Sequence, residues 1–197
     1  GKVLPGHDFV NDDDIAQDDH GHGTFVAGIA SSLADNNTGV AGVCWYNQIL
    51  PVKVMDSSGN GTHADVADGI IYASDNGADI INLSLGDPSS SATLESAVKY
   101  AYDMGVVNVA GVGNDGGSVL YPAAYNEYVL AVAATDHNDQ RATFHDWSSN
   151  FGPEVDVAAP GVDIYSTRWD NTYATRSGTS ASSPFAAGLA GLILSHD

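Results

Sequence analysis

"THADVADGIIYASDNGADIINLSL", residues 62–85, decides the fold. Its first part reads as a helix: Thr62 stands where a capping hydroxyl is needed, and Gly77 ends the pattern. Its last part, 78–85, is nearly continuous in apolar residues, as a strand buried on both faces must be. The alternation repeats outward. "QILPVKVM" (48–55), "VVNVAGV" (106–112), "YVLAVAAT" (128–135) and "VDVAAP" (155–160) read as further strands. "GTFVAGIASSLAD" (23–35), "ATLESAVKYAYDMG" (92–105) and 180–196 read as further helices, the second with Leu94, Ala97, Val98 and Ala101 on one face. Such alternation implies an α/β fold: a mostly parallel sheet with helices on both faces, in three layers. At 197 residues one domain, 1–197, is expected. In folds of this kind functional groups collect at the carboxyl ends of strands and at the helix starts that follow them.

Composition narrows the partners. There are 25 acidic residues against 6 Lys and Arg, a formal charge of −19. That charge argues against nucleic acid and against anionic membrane surfaces. No apolar run is long enough to span a bilayer. Cys44 is the single cysteine, so an intrachain disulfide and a cysteine-based zinc site are excluded, and its Trp45-Tyr46 neighbours suggest packing.

Chemistry is concentrated in three places. In "DDHGHGTFVAGIA" (18–30), His22 lies between glycines at a helix start, where an imidazole could serve as general base. In "VAGVGNDGG" (109–117), a buried-type strand ends at Gly111, Gly113 and Asn114. Asn114 reads either as a left-handed turn residue or as an amide donor aimed at developing negative charge. In "RSGTSASSPFAAGLAGLILS" (176–195), Thr179 or Ser180 could cap the helix, and Pro184 is tolerated in a first turn. Ser180 would also stand at the helix's positive end, where a free N–H can help bind an oxyanion.

Taken in order, G-H-G-T, then a strand with G-x-G-N, then G-T-S-x-x-x-P, the chain closely resembles the subtilisin-like serine peptidases, the subtilases, and their thermitase-like branch in particular. "SLG" (84–86), "YPAAY" (121–125), "ATFHDWSSNFGPEVDVAAPG" (142–161) and "IYST" (164–167) extend the resemblance over essentially the whole sequence. It implies Ser180 as both cap and nucleophile, His22 as base, and Asn114 with the Ser180 N–H as oxyanion donors. It implies that Ser84, Leu85 and Gly86, with Gly111, Val112 and Gly113 opposite, form the cleft edges along which an extended peptide adds as a strand. Ser177, Ser182 and Ser183 read as bystanders. The reaction implied is endopeptidase hydrolysis through an acyl-enzyme by a secreted monomer acting on proteins or peptides.

The family also uses an Asp, placed after a strand as Asp-Thr/Ser-Gly about thirty residues before the His. Only 21 residues precede His22 and none forms that motif, so a chain trimmed at both ends is expected, with activity in doubt. The alternative is a non-catalytic peptide-binding or structural domain. Asp18 or Asp19 is a weak candidate to substitute. Phe25 and Phe185 stand where the family often has His, and their rings are expected to touch. Ala181 stands where it usually has an oxidisable Met.

Structural Ca²⁺ is implied at two loops. In "DFVNDDDIAQDDHGHG" (8–23) the resemblance favours Asp8, Asp13, the Ile15 carbonyl and Gln17, with Asn11 through water. In "LADNNTGV" (33–40) it favours the Leu33, Thr38 and Val40 carbonyls with the Asn36 side chain. Glu154 and Asp156 are a weaker candidate.

Overall fold

The computed structural model describes residues 2–143 and 146–196. Phe144 and His145 of the 142–161 motif, and the domain's end residues Gly1 and Asp197, lie outside the described residues. The elements are β1 (His7–Asp8), α1 (His22–Ser31), β2 (Val52–Lys53), α2 (His63–Asp75), β3 (Ile80–Leu83), α3 (Ala92–Asp103), β4 (Val107–Gly111), β5 (Val129–Thr135), β6 (Val157–Pro160), β7 (Ile164–Thr167), β8 (Tyr173–Arg176) and α4 (Thr179–Leu194).

The centre is a parallel sheet in the order β3-β4-β5-β6. Its side chains alternate between two cores, as the period of two requires. Ile81, Leu83, Ala110, Val129, Ala131 and Ala133 face α2 and α3. Ile80, Val109, Leu130 and Val132 face α4, through Ala186 and Ala187. The expected α/β architecture with helices on both faces is therefore present. Thr62 caps α2 by accepting from the Asp65 N–H at 3.0 Å, and Ser91 caps α3.

The strands are shorter than their apolar runs. Among the described residues the 48–55 run yields a short strand, Val52–Lys53, paired with β1, and behind it only an isolated bridge from Ile49 to Val3. Pro51 lacks the N–H that would carry the ladder further back. β7 and β8 form an antiparallel hairpin that alternation did not announce. It fixes α1: Ser166 Oγ and Thr167 Oγ1 donate to the Phe25 and Thr24 carbonyls, each at 2.8 Å. Phe25 and Phe185 pack into one small cluster with Val26, Ile29 and Ala181. Cys44 is buried. Among the described residues, no helix is long and apolar enough to cross a membrane.

Candidate active site

One open cleft is lined by His22, Ser84, Leu85, Gly86, Gly111, Gly113, Asn114 and Ser180. Residues from four separate parts of the sequence meet there, at the carboxyl ends of β3 and β4 and the starts of α1 and α4.

Ser180 occupies the second position of α4. It does not cap the helix, contrary to the sequence expectation. The cap position is Gly178, at φ 143°, and it offers no side-chain hydrogen bond. Thr179 does not cap either, since its hydroxyl accepts from the Gly113 N–H at 3.1 Å. Among the described residues the Ser180 N–H therefore has no acceptor in the helix's first turn, at the positive end of the dipole. Ser180 Oγ rests 3.4 Å from the Ser84 carbonyl.

Asn114 is not a left-handed turn residue; that role belongs to Gly113, at φ 104°. The Thr179 N–H donates to Asn114 Oδ1 at 2.8 Å. With its oxygen so occupied, the amide must present Nδ2 to the cleft, beside the first turn that carries Ser180. Gly111 is required where it stands, because a Cβ there would lie 2.9 Å from the Thr179 carbonyl. Val112 is a correction. It is fully buried, its N–H bonds the Val132 carbonyl, and its C=O accepts from Leu120 and Asn150. It belongs to the core rather than to the cleft edge. On the opposite edge, Leu85 and Gly86 spend neither N–H nor C=O on another described residue.

His22 is the first residue of α1. Gly21 takes φ 89° and lies so close to Trp169 that a Cβ would come within 3.1 Å of its ring. Burial lowers the imidazole pKa, and the Arg176 guanidinium and His20 lower it further. Asp18 opposes this by raising it, and the net lowering favours the neutral imidazole, the form a general base needs. Among the described residues no carboxylate hydrogen-bonds its ring. Asp18 is committed elsewhere: Oδ1 accepts from the His20 and Gly21 N–H groups at 3.0 and 2.6 Å, and Oδ2 from the Thr24 N–H at 2.8 Å. Burial alone would raise its pKa, but the Thr24 hydroxyl and these N–H groups outweigh it and hold the carboxyl below its usual range. Asp18 anchors the turn into α1 and cannot also orient the imidazole. Asp19 faces Lys53 at 3.5 Å.

Asn150 escaped the sequence reading. Its Oδ1 accepts from the Asp115 and Gly117 N–H groups, and its Nδ2 donates to the Val112 and Ser118 carbonyls. All four bonds shape the turn that holds Asn114. The only sequence signal was a polar residue beside an apolar strand.

The calcium loops fit an ion unequally. Asp8 is only 2% exposed and is spent on the Val10 and Asn11 N–H groups, Asn11 Nδ2, and the Lys53 ammonium at 3.1 Å. Asp13 Oδ1 accepts from the Ile15 N–H, the Ile15 carbonyl accepts from Gln17, and Gln17 Nε2 donates to the Asp18 carbonyl. A divalent ion at Asp8 would face an ammonium on the same oxygen, so this loop fits poorly. In the second loop Asn36 Oδ1 accepts from the Thr38 N–H, while the Leu33, Thr38 and Val40 carbonyls are unspent among the described residues. Ca²⁺ takes six to eight oxygens, so these three unspent carbonyls would supply only part of its shell. Among the described residues no group of three or more His, Cys, Asp or Glu is placed to hold a metal.

Comparison with known proteins identifies the family of the chain and its fold. The model of the subtilase family matches residues 3–197. Thermophilic serine proteinase of Bacillus sp. (strain AK1) is 51% identical over all of this chain and 48% of its own length. Thermitase of Thermoactinomyces vulgaris is 48% identical over all of this chain and 69% of its own length. Among solved structures, a cold adapted subtilisin-like serine proteinase superposes at TM-score 0.90 with 35% identity, covering 100% of this chain and 69% of that one. The class defined by fold and site is thus the subtilisin-like serine proteases. The chain belongs to the subtilase family. It spans about half the length of the first of these relatives and just over two thirds of the second.

Proposed function

We propose that this chain carries the nucleophile, the base and the oxyanion donors of a serine endopeptidase. Ser180 attacks the scissile carbonyl as His22 takes its proton, and the Asn114 Nδ2 and Ser180 N–H groups receive the oxyanion. The observation that carries the reading is the Thr179 N–H bond to Asn114 Oδ1, which turns the amide's donor end toward the nucleophile's helix start. Peptides lie along the unspent backbone of Leu85 and Gly86, with Gly111 and Gly113 opposite. Asp115 lines the same cleft and favours a basic residue before the scissile bond, against a family default of large apolar ones.

We further propose that the carboxylate that orients His22 comes from a strand beyond residues 1–197. Among the described residues β2 pairs only with β1 and β3 only with β4, and both line the cleft that holds His22. A strand laid between them would join the two sheets and end near the imidazole. Without that carboxylate the chain is at most a feeble peptidase. In subtilisin, loss of the triad Asp costs about 3 × 10⁴ in turnover. The competing reading, a peptide-binding domain without catalysis, draws on the same unpartnered imidazole. Ca²⁺ is assigned to the Leu33, Asn36, Thr38 and Val40 loop as a structural ion; the Asp8, Asp13, Ile15 and Gln17 set is retained only with Lys53 displaced. Secretion and a monomeric state are part of the same proposal.

The test is to read the coding sequence immediately before the Gly1 codon and to assay the chain with and without that segment. An apolar strand ending in Asp-Thr-Gly or Asp-Ser-Gly, with steady-state hydrolysis only in the longer chain, is expected. Unrelated sequence there, or full activity from residues 1–197 alone, contradicts the proposal.

A further inference from the structure

We propose that Ser84 is a positioning residue for the nucleophile: its hydroxyl replaces the helical N–H that Pro184 lacks, and so sets how deep Ser180 sits in the cleft. The inference rests on the peptidase reading above. In an α-helix each carbonyl accepts from the N–H four residues on. For Ser180 in α4 that residue is Pro184, which has no N–H to give. Ser84 Oγ lies 3.1 Å from the Ser180 carbonyl and takes the missing donor's place.

The proton bookkeeping closes in one way. Ser84 Oγ lies 2.9 Å from Asn82 Nδ2 and 2.8 Å from Ser183 Oγ. A hydroxyl has one proton and two acceptor sites. The Ser180 carbonyl can only accept and the Asn82 amide nitrogen can only donate, so Ser84 gives its proton to Ser180 and receives one from Asn82 and one from Ser183. Ser183, read as a bystander in the sequence, completes the set. The Ser84 carbonyl in turn accepts from Ser180 Oγ at 3.4 Å, so the two residues hold each other by both ends. Ser84 also leads directly into Leu85 and Gly86, the edge assigned to the peptide. One residue thus fixes the distance between the peptide's edge and the attacking oxygen.

The experiment is a double-mutant cycle of Ser84→Ala and Pro184→Ala, read as the rate at which a fluorophosphonate labels Ser180. In that reaction the Oγ–P bond forms as P–F breaks, fluoride leaves, and His22 takes the hydroxyl proton. Ser84→Ala should slow labelling about tenfold in the unsubstituted chain, since a small displacement of a reacting atom is costly. In the Pro184→Ala background residue 184 supplies its own N–H, and Ser84→Ala should then cost less than about threefold. An equal cost in both backgrounds, or none in either, overturns the proposal. A chain that takes no label at Ser180 overturns the peptidase reading instead. The hydrogen bond is then read from the Ser180 carbonyl ¹³C shift, which should move upfield on Ser84→Ala only when Pro184 is present. A shift that does not move, or that moves equally in both backgrounds, overturns it.

Discussion

The two halves of the site are built differently. On the nucleophile's side the groups that place Ser180 are held within the chain, Asn114 by Thr179, Thr179 by Gly113 and the Ser180 carbonyl by Ser84, while the Ser180 N–H and Asn114 Nδ2 are left for the oxyanion. On the base's side the turn beneath His22 is as firmly held, by Asp18 and Thr24, yet the imidazole itself is oriented by no described carboxylate. A serine protease needs both halves in register, but only the nucleophile's half is complete within these residues. The comparison separates placing a catalytic residue, which local capping achieves, from orienting its ring, which needs a distant partner.

The difference sets the size of expected effects. Ser180→Ala should abolish phosphonate labelling altogether, by intact mass. Asn114→Ala should slow it by about 10²–10³-fold, the range known for such a donor in subtilisin. His22→Ala should cost far less here than in a chain extended by the proposed carboxylate, because an unoriented imidazole contributes little; an equal loss in both would erase the distinction between the halves. Away from the site, Lys53→Met strands the buried Asp8 carboxylate and should destabilise the chain by about 3–5 kcal/mol in urea unfolding. The smallest effect concerns pH. His22 is depressed below its usual value, so its base form persists to lower pH and the acid limb of labelling should fall below that of a free imidazole. The unfolded state binds the proton more readily. The stability His22 contributes is thus present above the unfolded pKa and is lost as pH falls through the folded one. Arg176→Leu should move the labelling limb upward.

Much of this was legible in the sequence. The helix start at Thr62 carries its cap in the sequence, the helix over 92–105 carries its apolar face, and the parallel strands carry their continuous apolar runs. Glycines near His22, Asn114 and Ser180 drew attention to them, but their roles followed only from the order of the three motifs and the family resemblance. The rest depends on pairings across long separations. Ser84 meets Ser180 and Ser183 from nearly one hundred residues away, and nothing local distinguishes its hydroxyl from its neighbours'. The acidic loop at 8–19 is implied as a metal site by the family resemblance, but Lys53 from a different strand already supplies a cation to Asp8. The resemblance implies Val112 as cleft edge, while its side chain is fully buried in the larger core.

The most direct test of the central claim is to treat residues 1–197 with a fluorophosphonate and map the adduct by peptide mass spectrometry. A single adduct on Ser180, absent in Ser180→Ala and slowed by Asn114→Ala, is predicted. An adduct on another serine, or a Ser180 rate unmoved by Asn114→Ala, would contradict it.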